Sequence, residues 1–136
     1  MNLKPVVVYG ATGYTGTLTC EDLARRGIPF VVAGRSQQKL DLLVADLRAF
    51  NANVEAIRVE HDLTALEQLL RDRKVIINCT GPFVKLGETV VQAALNANCH
   101  YVDITGEQPF MLDMRERYGA RFAEHNLVLN PSASYF

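Results

Sequence analysis

The stretch VVVYGATGYTG, residues 6–16, decides the fold of this 136-residue chain. An apolar run typical of a strand, Pro5–Tyr9, passes directly into three glycines with the spacing GxxGxxG. An amphipathic helical pattern follows over Thr15–Arg26. A strand, a glycine-rich turn and a helix in this order form the context in which such turns bind dinucleotides. The stretch therefore predicts the first βα unit of a nucleotide-binding α/β domain.

The same alternation continues along the rest of the chain. Apolar runs predict further strands at Phe30–Ala33, Val54–Val59, Val75–Asn78, Tyr101–Ile104 and Leu127–Leu129. Helical spacing of apolar residues predicts a helix between each pair, with Cys79–Leu86 as a loop before a helix over Glu88–Asn96. We therefore predict one domain, residues 1–136, with a doubly wound Rossmann fold. Its mostly parallel six-stranded sheet should have the order 3-2-1-4-5-6 and helices on both faces.

In such a sheet the ligand lies at the carboxyl ends of the first and fourth strands. We expect Gly10 to allow the tight turn, Gly13 to admit a diphosphate, and Gly16 to let the helix approach the sheet. Thr12, Tyr14 and Thr15 are predicted to contact phosphate or ribose. The helix start adds unpaired N–H groups and a partial positive charge.

The end of the second strand predicts which dinucleotide is bound. NAD-binding domains place an acidic residue here, but this chain has Gly34-Arg35-Ser36. Arg35 can form a forked, charge-assisted bond with a 2′-phosphate, which a carboxylate would repel. Ser36 can donate a hydrogen bond, and Lys39 can add a second charge. These residues predict NADP as the cofactor, with solvated surface cations as the alternative for Arg35 and Lys39.

Two further loops are predicted to border the cofactor. Asp62 and Leu63 follow the third strand and are expected beside adenine, although Asp62 is also a plausible helix cap. The loop after the fourth strand should flank the ribose and nicotinamide through Cys79, Thr80, Gly81, Pro82 and Phe83. Past the fifth strand lie Asp103, Thr105, Gly106 and Glu107, where a carboxylate can orient a substrate or begin a helix. The residues by themselves assign no catalytic group.

Composition excludes several other classes. A net charge of −1, with both signs interspersed, predicts no nucleic-acid partner and no anionic membrane surface. Apolar runs are far shorter than the roughly 20 residues of a spanning helix. The three cysteines have neither disulfide-framework nor zinc-site spacing, and the histidines have no metal-ligand spacing. We therefore expect no metal and a reducing, cytoplasmic location.

Four motifs together resemble the saccharopine dehydrogenase-like oxidoreductases. The motifs are GATGYTG at residues 10–16, AGRS at 33–36, NCTGPF at 78–83 and YVDITGE at 101–107. The resemblance implies an N-terminal NADP-binding domain of an enzyme that transfers hydride between NADP(H) and an unidentified small organic molecule. It also extends to proteins similar to trans-acting enoyl reductases.

Members of this group usually continue into a C-terminal substrate domain after the sixth strand. We therefore expect this chain to be a fragment without that domain, which binds cofactor without turnover. The expected partners are the dinucleotide and, in the full-length protein, the small-molecule substrate. The oligomeric state stays open, with a homodimer among the options.

Two alternatives remain. An atypical short-chain dehydrogenase would also fit the GATGxxG turn, but no tyrosine here has lysine four residues later, as that chemistry requires. A non-catalytic NADP sensor that acts through a partner fits the absence of an assigned catalytic pair.

Overall fold

Strands and helices alternate along the chain in the computed structural model, which describes residues 3–134. The strands are β1 (Val6–Tyr9), β2 (Phe30–Gly34), β3 (Val54–Arg58), β4 (Val75–Asn78), β5 (His100–Asp103) and β6 (Leu129–Asn130). The helices are α1 (Tyr14–Arg25), α2 (Gln37–Leu47), α3 (Leu63–Leu70), α4 (Phe83–Asn96) and α5 (Gln108–Glu124). A short 3₁₀ helix, Arg48–Phe50, follows α2.

All five strand pairings are parallel, and the sheet order is β3-β2-β1-β4-β5-β6. The predicted order and fold class are confirmed. Tyr9, the last residue of β1, pairs with Ala33 on one side and Asn78 on the other. The carboxyl ends of β1, β2 and β4 therefore meet at one edge, where the loops that follow them can build a single site.

The sheet is covered on both faces because its strands alternate between two apolar cores. Val8, Phe30 and Val32 face α1 and α2, where Cys20, Leu40 and Leu47 complete one core. Val7, Val31 and Ile76 face the other way, toward Leu66, Val90 and Met114 of α3, α4 and α5. Fully burying each large aliphatic side chain contributes about 1.5–3 kcal/mol, so these two layers hold the strand ends rigidly in place.

Some predicted boundaries were wrong. The segment Cys79–Leu86 is not all loop, because α4 begins at Phe83. The last strand is Leu129–Asn130, displaced from the predicted Leu127–Leu129.

Candidate functional site

The turn between β1 and α1 is tightly seated on its neighbours. Gly10 has φ +74°, a left-handed conformation that favours glycine, and its N–H donates to the Ala33 carbonyl at 3.1 Å. A Cβ at Gly10 would collide with Thr80 Oγ1 and lie 2.9 Å from the carbonyl carbon of Cys79. The turn therefore needs glycine here to pack against the loop after β4.

The other two glycines differ in what surrounds them. A Cβ at the buried Gly16 would collide with the Gly10 carbonyl oxygen and lie 2.8 Å from the Ala11 Cα, so the first turn of α1 presses on the loop before it. A Cβ at Gly13 would lie 3.5 Å from the same carbonyl oxygen, an ordinary contact. Internal packing accordingly requires glycine at residue 16 and leaves residue 13 open to an incoming group.

Helix α1 starts directly above this turn. Gly13 is its N-cap residue and supplies no side-chain acceptor, and the first N–H groups of a helix have no acceptor within the helix. Thr12 and Tyr14 are exposed, with 82% of Tyr14 accessible, whereas Thr15 is half-buried. The site thus presents free N–H groups and a partial positive charge, the chemistry that binds phosphate.

Cationic residues follow β2 at the same edge. Arg35 is exposed, and the Val59 N–H donates to the Gly34 carbonyl at 2.9 Å, so the segment after β3 runs beside it. Ser36 caps α2 by accepting a hydrogen bond from the Lys39 N–H at 3.3 Å, which leaves its own hydroxyl proton available to donate. Lys39 and Thr12 line one small cavity of about 220 Å³, so the lysine lies close to the glycine-rich turn.

The segment after β3 contributes a helix cap and an apolar residue. Asp62 caps α3, its Oδ1 accepting the Ala65 N–H at 2.8 Å. Leu63 begins α3, is 38% exposed, and shares a cavity with Val84 of α4. Leu63 therefore borders a cavity between the start of α3 and helix α4.

Sequence reasoning missed a paired tyrosine and histidine at this edge. Tyr9 Oη lies 2.7 Å from His61 Nδ1, and the two rings stack with centroids 5.9 Å apart and planes inclined by 13°. His61 Nε2 is buried and has no hydrogen-bond partner among the described residues. Burial lowers the pKa of His61, as does the Arg35 charge, while burial raises the pKa of Tyr9 to about 12. Tyr9 lies at the end of β1 on the same face as Val7. This alternation along the strand is the sequence signal that could have located the tyrosine.

The loop after β4 packs against the glycine-rich turn at Gly10, and the space at the carboxyl ends of β1, β2 and β4 is called the crevice below. The Cys79 N–H donates to the Tyr9 carbonyl at 2.8 Å, and the Thr80 N–H donates to Asn78 Oδ1 at 3.0 Å. Thr80 Oγ1 is buried without a hydrogen-bond partner among the described residues, and burial raises the pKa of the half-buried Cys79. Gly81 and Pro82 are exposed and joined by a cis peptide bond.

Phe83 points away from this crevice. Its side chain is only 6% exposed and packs on Phe110 with ring centroids 5.8 Å apart. Of the five loop residues predicted to flank the cofactor, this one has its side chain in the core, where it fixes the start of α4.

Buried polar groups hold the loops after β4 and β5 together. Asn78 Nδ2 donates to Tyr101 Oη at 3.1 Å, and Tyr101 Oη donates to Asp103 Oδ2 at 2.5 Å. Asp103 also accepts the N–H groups of Thr105 and Ser132 at 2.9 and 2.8 Å, and burial raises the pKa of its carboxyl. Asp103 is therefore a structural carboxylate that orders the loops behind the site.

A sizeable cavity of the described chain lies away from these loops. It has a volume of about 470 Å³ and is formed by α5 and the segment around β6, including Met111, Phe122 and Leu129. None of the residues predicted to bind the cofactor lines it. The candidate site is instead an open crevice whose walls are loop backbone and short side chains.

The crevice has the features that a phosphorylated dinucleotide requires. A glycine-rich turn leads into a helix start at the carboxyl end of β1, and exposed cationic side chains follow β2 at the same edge. Two polar atoms of nearby segments, His61 Nε2 and Thr80 Oγ1, are buried without a hydrogen-bond partner among the described residues. None of the helices formed by residues 3–134 combines the length and apolar character needed to cross a bilayer.

Comparisons with known proteins identify related sequences. The family model described as saccharopine dehydrogenase NADP binding domain matches residues 6–126. A Caenorhabditis elegans protein named lipid droplet localized protein is 33% identical over 95% of this chain and 32% of its own length. The saccharopine dehydrogenase-like oxidoreductase of Mus musculus is 29% identical over 96% of this chain and 34% of its own. The chain thus spans about a third of the length of these curated relatives.

A solved structure shows the same fold. Saccharopine dehydrogenase (L-Glu forming) of Saccharomyces cerevisiae superimposes with a TM-score of 0.75 at 18% identity, covering 96% of this chain and 27% of the yeast chain.

Proposed function

Because this chain belongs to the saccharopine dehydrogenase NADP-binding domain family, whose cofactor is NADP, we propose that its crevice binds NADP(H) for hydride transfer to or from an organic substrate. The observation that carries the proposal is the turn at Gly10 and Gly16, where close packing leaves no room for a Cβ directly beside the start of α1. The first N–H groups of such a helix have no acceptor within the helix. When bound, the cofactor supplies the hydride chemistry, and the domain supplies position and charge.

In this proposal the glycine-rich turn holds the diphosphate. Backbone N–H groups at the start of α1 donate to the phosphates, and the open face of Gly13 lets them approach. The exposed side chains of Thr12 and Tyr14, with the half-buried Thr15, contact phosphate or ribose.

The adenosine end is selected by charge. Arg35 forms a forked bond with the 2′-phosphate, assisted by the Ser36 hydroxyl and the Lys39 ammonium group. Support comes from the position of Arg35, whose charge acts on Tyr9 and His61 at the crevice. Asp62 and Leu63 border adenine.

The loop after β4 borders the ribose and nicotinamide. Cys79, Thr80, Gly81 and Pro82 present backbone and short side chains to this end, while Phe83 anchors the loop from the core. Because burial raises the pKa of Cys79, its thiol stays protonated at neutral pH and lines the site without acting as a nucleophile.

Calorimetry on the 136-residue chain tests the proposal. We expect NADPH to bind more tightly than NADH, and Arg35→Asp to weaken NADPH binding by more than about tenfold, because each charge-assisted bond contributes roughly 1.5–3 kcal/mol. Arg71→Asp makes the same charge change at the α3 end distant from the crevice and should leave the affinity unchanged. Equal NADPH affinity in the wild type and Arg35→Asp would overturn the selectivity argument.

Turnover separates the enzyme from the sensor alternative. The full-length protein is assayed with carbonyl, imine and enoyl compounds, and NADPH oxidation is followed by absorbance. Sustained oxidation with any of these compounds would exclude the sensor role. The proposal includes a cytoplasmic location, supported by the free thiols Cys20, Cys79 and Cys99. Sedimentation of the chain with and without NADPH would test the homodimer.

A further inference from the structure

We propose that His61 is a second determinant of specificity for the adenosine 2′-phosphate, taking up a proton as NADPH binds and adding its positive charge to that of Arg35. The inference rests on the proposed function and concerns the same crevice. The histidine is held by Tyr9 at the end of β1 and lies in the segment that runs beside Gly34-Arg35, within range of the Arg35 charge.

The Tyr9 hydroxyl suits both protonation states of the imidazole. With a neutral ring, the hydroxyl donates to Nδ1 across the 2.7 Å contact and Nε2 carries the ring proton. With a protonated ring, Nδ1–H donates to the same hydroxyl oxygen, and the hydroxyl proton then no longer points at Nδ1. Because burial raises the pKa of Tyr9 to about 12, the hydroxyl remains neutral throughout. The ring can therefore gain a proton without losing its position.

The groups around His61 set the direction of the effect. Burial and the Arg35 charge favour the neutral ring, whereas the Asp62 charge and the backbone carbonyl of Leu86 on α4 favour the protonated one; the balance lowers the pKa. The Leu86 carbonyl favours the protonated imidazole but does not form a well-aligned hydrogen bond with Nε2. A bound 2′-phosphate would neutralise Arg35 and attract the imidazolium, so the pKa of His61 should rise on binding. Affinity for the phosphate should therefore increase as the pH falls through that raised value.

Nuclear magnetic resonance gives the direct test. The pKa of His61 is followed through its Cε1–H signal in the free chain, with 2′,5′-ADP, and with 5′-AMP, which lacks the 2′-phosphate. We expect a value below about 6.5 in the free chain. It should rise with 2′,5′-ADP and stay unchanged with 5′-AMP. Binding of 2′,5′-ADP without a rise would overturn the inference while leaving the proposed function intact.

A calorimetric comparison tests the consequence for selectivity. Between about pH 8 and pH 6, the ratio of the 5′-AMP to the 2′,5′-ADP dissociation constant should rise up to about tenfold more in the wild type than in His61→Gln. The phosphate itself titrates with a pKa of about 6, which affects both proteins equally. The difference between their pH dependences therefore isolates the contribution of the histidine. His125→Gln, at the exposed end of α5, should behave as the wild type.

The remaining outcomes also decide the matter. Identical pH dependence in the wild type and His61→Gln would overturn the inference. Failure of 2′,5′-ADP to bind more tightly than 5′-AMP at any pH would overturn the proposed NADP selectivity together with it.

Discussion

Glu107 at the start of α5 holds Phe83 at the start of α4: its Oε2 accepts the Phe83 backbone N–H at 2.7 Å, and its Oε1 accepts the Val84 N–H at 3.0 Å. The Glu107 N–H donates to Thr105 Oγ1 at 3.0 Å, which fixes the carboxylate in turn. A carboxylate at a helix N-terminus satisfies free N–H groups and complements the helix dipole. The loop Cys79–Pro82, which is proposed to border the nicotinamide, is therefore anchored at its end by the residue that begins α5.

Removal of this carboxylate should destabilise the domain and loosen the loop. We expect Glu107→Ala to lower the free energy of unfolding by about 2 kcal/mol, because two backbone donors lose their acceptor, and Glu107→Gln by about 1 kcal/mol, because one acceptor oxygen remains. Urea unfolding measures both. Glu116→Ala, on the exposed face of the same helix, should change stability by less than about 0.5 kcal/mol. Wild-type stability in Glu107→Ala would refute the anchoring role.

The sequence predicted what local patterns encode. The order of the sheet follows from the alternation of apolar runs with helical spacing, and the caps at Ser36 and Asp62 lie three residues before the N–H groups they accept. The start of α4 was missed because its cap, Glu107, lies 24 residues beyond Phe83. The Tyr9–His61 pair was missed for the same reason, since 52 residues separate its members. Contacts between strand ends depend on the folded sheet and leave no local signal.

Substitutions at two glycines should separate packing from cofactor binding. Gly16→Ala places a Cβ against the Gly10 carbonyl oxygen and Ala11, so we expect a loss of stability of about 3 kcal/mol. The Cβ of Gly13→Ala meets only an ordinary contact. The variant should lower the free energy of unfolding by about 1 kcal/mol, because alanine is a poorer N-cap residue than glycine. Its Cβ would, however, project toward the proposed diphosphate, so NADPH affinity should fall by more than about tenfold.

Thermal unfolding and calorimetry together check this pair. Thermal unfolding should place Gly13→Ala a few degrees below the wild type and Gly16→Ala well below both. Calorimetry should show weakened NADPH binding in Gly13→Ala despite its intact fold. Wild-type affinity in that variant would mean that the diphosphate does not approach the turn at residue 13.

The three cysteines should differ sharply in reactivity, and the cofactor should protect one of them. Burial raises the pKa values of Cys20 and Cys99 to about 12, so their thiolate fraction near pH 8 is about a thousandfold below that of an ordinary thiol. Cys79 is only half-buried, although burial raises its pKa as well. Iodoacetamide should therefore alkylate Cys79 first in the native chain, and mass spectrometry after digestion would identify the site.

Saturating NADP⁺ should slow the alkylation of Cys79 several-fold, because the proposed cofactor position covers the loop after β4. In guanidinium chloride all three thiols should react at similar rates, which controls for intrinsic reactivity. Unchanged labelling of Cys79 under conditions where calorimetry shows bound NADP⁺ would place the nicotinamide end of the cofactor away from that loop.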